Sequence, residues 1–248
     1  MKKIVLLDFD GTIADTSEGV LRSMKYGLGT IGFDYSQVDL MSLIGPPVFL
    51  GFDMIGVPAD KKMEAIEAYR YAYATEIFDK TGKIVEGLEF KGPHFEGLDV
   101  QTTVPKLDGN LDNADVQNLA RKLEKLERGM DALKLLPGML DLFKALKSRT
   151  ETDGWIIDTG TSKPIDYTNY SIDLLNIREY FTKDYEIFGA SMDDTRHSKK
   201  DVLKYALDVL GYDEDVDKAI LIGDRFYDVE GATAVGIKTI GAGWGFAP

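Results

Sequence analysis

Ile4 to Asp8 reads IVLLD, an unbroken apolar run that ends on a carboxylate. A run with no polar alternation predicts a strand buried on both faces, as in a parallel sheet covered by helices. Comparable runs recur at WIIDTGT (155–161), YEIFGA (185–190), AILIGD (219–224) and KTIGAG (238–243). Between them lie segments with helical spacing: MLDLFKALKSR, IDYTNYSIDLLN and KDVLKYALDVLG. Strands alternating with helices predict an α/β fold, a doubly wound, mostly parallel, five-stranded Rossmann-like sheet. From about residue 16 to residue 134 the alternation stops and helical patterns take over (SEGVLRSMKYGLGTI, KKMEAIEAYRYAYATEIF), interrupted by a Gly-rich segment from Gly82 to Asn110. Val116, Leu119, Leu123, Leu126, Met130 and Leu133 then follow at steps of three and four. That stripe reads as an amphipathic helix over a core or as a coiled-coil dimer seam; fewer than three heptads and Gly129 inside weaken the seam. The expected organisation is a core from 1–15 and 135–248, with a mainly helical cap at 16–134 that carries an extended insertion at about 80–134.

Composition narrows the function. With 248 residues, 44% apolar and 10% aromatic, the chain can build a sizeable core and is far from a disordered profile. No apolar run approaches the ~20 residues of a membrane span. The KKIVLL start is followed by an acidic residue at position 8 and by no cleavage pattern, so a cytoplasmic location is expected. There are no cysteines, which excludes disulfides, thiolate ligands and a cysteine nucleophile. The net charge of −13 argues against nucleic acid and anionic membranes as partners. It also repels an anionic substrate unless a cation sits in the site.

Asp8 and Asp10 stand at the end of the first apolar run, and Asp224 and Asp228 at the end of AILIGDRFYD. A lone aspartate at a strand end is most often a helix cap. Four acids from two strand ends are a different matter, because packed carboxylates repel unless a cation holds them. An oxygen-rich set of this kind suits Mg²⁺. Thr161 closes a third run.

DFDGT, TSKP at 161–164, Lys199 and GDRFYD at 223–228 resemble, in order and spacing, the four motifs of the haloacid dehalogenase superfamily. DGTIADT, IGPP at 44–47, LPG before a helix, the run Asp193–Arg196–Lys199 and GIKTIGAGWG resemble its phosphoglycolate phosphatase-like branch. The sequence departs from that branch in its long insertion, in Asp194 where glycine is usual, and in Asp158 inside a strand that is normally apolar. The resemblance implies a helical cap placed directly after the first motif, and an Mg²⁺-dependent phosphatase acting on a small phosphorylated metabolite. In that chemistry Asp8 is the nucleophile that forms an aspartyl-phosphate, and Asp10 is the acid and then the base. The metal is held by Asp8, the main-chain carbonyl of Asp10, Asp224 and, directly or through water, Asp228. Thr161 and Lys199 stabilise the phosphoryl group, with the amides of Phe9 and Ser162 as further donors. Thr159 is the alternative to Thr161, and Lys200 to Lys199; the TSKP and R-x-x-K spacings favour Thr161 and Lys199. Arg196 is a candidate for a substrate carboxylate, for a tie between cap and core, or for a plain surface ion pair. His94 and His197 read as structural. A sugar phosphomutase, or a non-catalytic phosphate-binding module on the same fold, remain as alternatives, and the chain is expected to be a monomer or a homodimer.

Overall fold

The computed structural model describes residues 1–78, 133–191 and 195–246. All but the last residue of the expected helix at 116–133 and most of the insertion, together with His94, Asp193 and Asp194, lie outside those residues. Four parallel strands form the main sheet: β1 (Lys3–Leu7), β4 (Ile156–Thr159), β7 (Lys218–Gly223) and β8 (Lys238–Gly241). Their order is β4-β1-β7-β8. Because β4 and β7 flank β1 on opposite sides, the chain reverses its winding beside β1 and leaves a crevice at the carboxyl end of that strand, where ligands bind in open α/β sheets.

The apolar run in β1 works as expected. Val5 and Leu7 face one core layer with Phe143, Ile157 and Ile172, while Ile4 and Leu6 face the other with Phe188, Leu203 and Leu221. The first layer packs on α4 (Met139–Asp153) and α5 (Ile165–Leu174), the second on α6 (Lys199–Val209) and α7 (Phe226–Ala234). The fifth expected strand is shorter than its sequence suggests. After Gly160 the chain leaves the sheet as β5 (Thr161–Pro164), which among the described residues pairs only with β6 (Gly189–Ala190). Ile187 and Phe188 are buried in different layers, so YEIFGA has a strand-like burial pattern, but the divergence of β5 limits pairing to its last two residues.

Two short strands, β2 (Ala14–Asp15) and β3 (Lys134–Leu135), pair antiparallel where the chain leaves the core and returns. Beyond β2 come α1 (Ser17–Thr30), a 3₁₀ turn at Leu40–Leu43, α2 (Val48–Met54) and α3 (Ala59–Phe78). Val20, Met24 and Leu28 recur every four residues on α1, and pack with Leu43, Phe52, Ala65, Ile66 and Tyr73 into a core of their own. Tyr167 of α5 and Phe246 join that core. Tyr73 meets Tyr167 edge-on at 5.6 Å between ring centres, so the helical unit sits directly on the α/β unit.

Asp158 is fully buried in β4. Its Oδ1 accepts the Thr159 amide at 2.7 Å, while Oδ2 has no partner among the described residues. Burial pushes this carboxyl up to about 8, against the hydrogen bond from the Thr159 amide. The folded chain therefore keeps the proton to higher pH than the unfolded chain does. Stability should fall as pH rises from about 4 to about 8, the interval between the ordinary carboxylate value and the raised one. Asp158→Asn is expected to match the parent near pH 4 and to exceed it by a few kcal/mol above pH 8. Denaturant melts at both pH values check this; equal stability at pH 9 would show that the burial cost is relieved in some other way.

Candidate active site

Asp8 directly follows β1, and Asp224 directly follows β7. Asp228 lies in the first turn of α7, where its Oδ2 accepts the Arg225 amide at 2.9 Å. The cap role and the cluster role thus coexist in one carboxylate. Carboxylate oxygens of Asp8, Asp224 and Asp228 all lie within 4.8 Å of one another. Into this cluster projects Lys199, the first residue of α6. Ser198 caps that helix, its hydroxyl accepting the Asp201 amide at 3.1 Å, and so fixes where Lys199 starts. Lys199 Nζ lies 2.6 Å from Asp8 Oδ1 and 2.7 Å from Asp228 Oδ1, and donates to the Gly160 carbonyl at 3.1 Å. Gly231 makes room for it, since a Cβ there would stand 2.5 Å from Lys199 Cγ.

Burial alone would push the Lys199 ammonium down; Asp228 and Asp8 outweigh it and hold the group above its ordinary value. Asp224 is pushed up to about 6, by burial first and then by Asp8. Burial and then Asp8 also raise Asp228, against the pull of Lys199. Three buried acids facing one ammonium leave an excess of negative charge on hard oxygen donors. That donor set fits a small divalent cation, with Asp8, Asp224 and Asp228 as the residues able to hold it.

The turn after β1 positions the rest. The Phe9 carbonyl accepts the amides of Thr12, Ile13 and Ala14 at 2.9–3.3 Å, and Gly11 takes φ +81°. A side chain at Gly11 would be strained by that φ and would place its Cβ 2.4 Å from Asp224 Oδ2. Thr12 Oγ1 donates to Asp224 Oδ1 at 3.3 Å, and the Phe246 amide donates to Oδ2 at 2.6 Å. Trp244 Nε1 donates to the Thr12 carbonyl at 3.1 Å, so the closing GWGF segment braces the first motif. The Phe9 amide has no acceptor among the described residues.

A cleft of about 660 Å³ opens between the two units, lined by Asp10, Ser162, Lys163, Lys199 and Lys200 from the core and by Ile44–Pro47, Phe49, Tyr69 and Tyr73 from the helical unit. Asp10 turns away from the three-acid cluster and meets Lys163 Nζ at 3.0 Å. Thr161 is buried, its Oγ1 accepting the Lys163 amide at 3.1 Å, whereas Thr159 spends its hydroxyl on the Phe188 carbonyl at 2.7 Å. Ser162 Oγ is buried at the cleft without a partner among the described residues. Lys199, not Lys200, makes the ion pairs with Asp8 and Asp228. Arg196 is drawn elsewhere: Nε donates to the Gly189 carbonyl at 2.9 Å and its guanidinium lies 3.9 Å over the Tyr205 ring, so it bolts β6 to α6 and does not line the cleft. His197 lines the cleft and has a partner of its own.

Three contacts were not read from the sequence. Lys163 stands in TSKP, yet a lone lysine reads as a solvated charge. Tyr73 reads only as one residue of the helical pattern KKMEAIEAYRYAYATEIF. Arg225 reaches from GDRFYD to the helical unit, where Nη2 donates to the Met41 carbonyl at 2.7 Å and the side chain packs on Gly45.

Residues 2–236 match the family model of haloacid dehalogenase-like hydrolases, and the chain belongs to that family. Tyrosine-protein kinase PtkA of Mycobacterium tuberculosis is 26% identical over 98% of the chain, which spans 63% of that relative's length. A 5'-nucleotidase of Pseudomonas aeruginosa is 27% identical over 98% of the chain and 83% of its own length. The crystal structure of a predicted phosphatase from Clostridium acetobutylicum superposes with a TM-score of 0.67 at 25% identity, covering all of this chain and 87% of that one. A phosphoglycolate phosphatase of Aquifex aeolicus is 31% identical over 49% of the chain and 53% of its own length. No helix among the described residues is long and apolar enough to cross a membrane.

Proposed function

We infer that the chain is an Mg²⁺-dependent phosphatase that hydrolyses a small phosphomonoester through an aspartyl-phosphate on Asp8. The observation that carries this reading is the meeting of Asp8, Asp224 and Asp228 around Lys199, with Asp10 lining the adjoining cleft. Mg²⁺ held by Asp8, Asp224, Asp228 and the Asp10 carbonyl would neutralise the charge that otherwise keeps phosphate from a carboxylate. Asp8 attacks phosphorus, so that an O–P bond forms and the bond to the leaving oxygen breaks. Asp10 gives that oxygen its proton and, now ionised, takes one from water as the water attacks the phosphoenzyme. The Asp8–P bond then breaks, and the balance is ester plus water to alcohol plus phosphate. Lys199 supplies fixed positive charge at Asp8, Thr161 supplies a hydroxyl, and the Phe9 amide and Ser162 hydroxyl, without partners among the described residues, are donors suited to phosphoryl oxygens.

The cleft is walled by Ile44, Pro46, Pro47, Phe49, Tyr69 and Tyr167, so the leaving group meets a mostly apolar surface, and the helical unit sets specificity. A phosphate-release screen over a panel of phosphorylated metabolites with Mg²⁺ tests the reading. Turnover of at least one phosphomonoester is expected. Mg²⁺ binding without release from any compound would support a binding module instead.

A further inference from the structure

Each of the two motif-one aspartates has a buried lysine of its own. Lys199 serves Asp8. Lys163 serves Asp10, and its side chain is only 3% exposed. Burying an ammonium is costly unless it is paired, and the pairing here is specific. Nζ donates to Asp10 Oδ1 at 3.0 Å and to the Tyr73 hydroxyl, and lies 4.6 Å from the Tyr73 ring centre and 5.5 Å from that of Phe9. No other hydrogen bond reaches the Asp10 carboxylate from the described residues. Its orientation therefore depends on one lysine.

That lysine depends in turn on the helical unit. Tyr73 lies on α3 and is stacked on Tyr69 at 5.9 Å and set edge-on to Tyr167 at 5.6 Å. Burial, then Asp10, push its phenol well above the ordinary value, so it is a neutral hydroxyl in the middle of an aromatic row. Resting on the acid–base role of Asp10 given above, we propose that Lys163 is the positioning residue for Asp10 and that Tyr73 makes this positioning conditional on the seating of the helical unit. Lys163 holds Oδ1, which leaves Oδ2 to carry the proton toward the cleft. When α3 lifts away, Lys163 loses its second anchor and Asp10 its aim, so that proton transfer is competent only over an enclosed substrate. A mere structural tie between the units would hold them together without regard to the leaving group.

The basicity of the leaving group separates the two roles. Phenyl phosphate and p-nitrophenyl phosphate are similar in size, but phenolate needs a proton on departure far more than p-nitrophenolate does. First-turnover release of each phenol is measured for Lys163→Met, Tyr73→Phe and Asp10→Asn in the full chain with Mg²⁺. For Lys163→Met, the loss with phenyl phosphate should be about tenfold larger than with p-nitrophenyl phosphate, with KM little changed. Tyr73→Phe should show a smaller gap of the same sign, and Asp10→Asn a gap at least as large as that of Lys163→Met. A gap in Asp10→Asn with none in Lys163→Met would overturn the positioning role and leave the acid–base role standing. No gap in Asp10→Asn would remove the acid role and the proposal with it. Should Lys163→Met fail to fold, Tyr73→Phe decides: the gap supports the proposal, and equal losses overturn it.

Discussion

Asp8→Asn should lower turnover by at least about 10⁴-fold, because the amide cannot attack phosphorus and no neighbouring group can take its place. Asp10 points to Lys163, while Asp224 and Asp228 are held by Thr12, the Phe246 amide, the Arg225 amide and Lys199. From sequence, loss of one of several crowded carboxylates would raise stability slightly. The structure adds an opposing effect, since Asp8 is also a partner of Lys199 at 2.6 Å. Removing Asp8 relieves repulsion on Asp224 and Asp228 and removes one of the two ion pairs of Lys199. The melting temperature of metal-free Asp8→Asn is therefore expected within about 4 °C of the parent, a change of about 1 kcal/mol. Activity near the parent level, with deamidation excluded by mass spectrometry, would remove Asp8 from the mechanism.

Removal of divalent metal is expected to be as severe. EDTA should take turnover to background and Mg²⁺ should restore it, while Ca²⁺ should bind and inhibit, since it takes more ligands at longer distances and shifts Asp8 from the attacking line. A readout free of catalysis is thermal stability. Mg²⁺ at a hundredfold above its dissociation constant should add about 2.7 kcal/mol, and Asp224→Asn should remove most of that gain. Full activity in chelator, or an equal Mg²⁺ shift in Asp224→Asn, would mean that the three-acid cluster is not the metal site.

The parts legible in the sequence are those where local pattern and function coincide. Ile4–Leu7 is apolar because both faces of β1 are covered, and the acids after it are conspicuous because two carboxylates one residue apart exceed what a helix cap needs. The same logic marks Asp224 at the end of β7. Lys199 is legible through the R-x-x-K spacing, and the cap formed by Ser198 at the start of α6 is the local structure that holds it there. What was not legible depends on contacts between distant segments. Lys163 and Tyr73 are 90 positions apart, and nothing in either helical or strand periodicity joins them. Arg196 fits the family spacing, yet its guanidinium is captured by the Tyr205 ring and the Gly189 carbonyl. YEIFGA reads as a full strand because burial alone gives an apolar run, whereas a strand also needs an edge to pair with, and among the described residues β5 offers one only to Gly189 and Ala190.

The covalent role of Asp8 is the centre of the account, and rapid acid quench of the parent enzyme with ³²P-labelled substrate and Mg²⁺ tests it most directly. Label should appear on the protein within the first turnover, be released by hydroxylamine as an acyl phosphate is, and map to the peptide that contains Asp8. Asp8→Asn should carry none. Undiminished turnover with no protein-bound label at any quench time, or label that maps to another residue, would contradict the account.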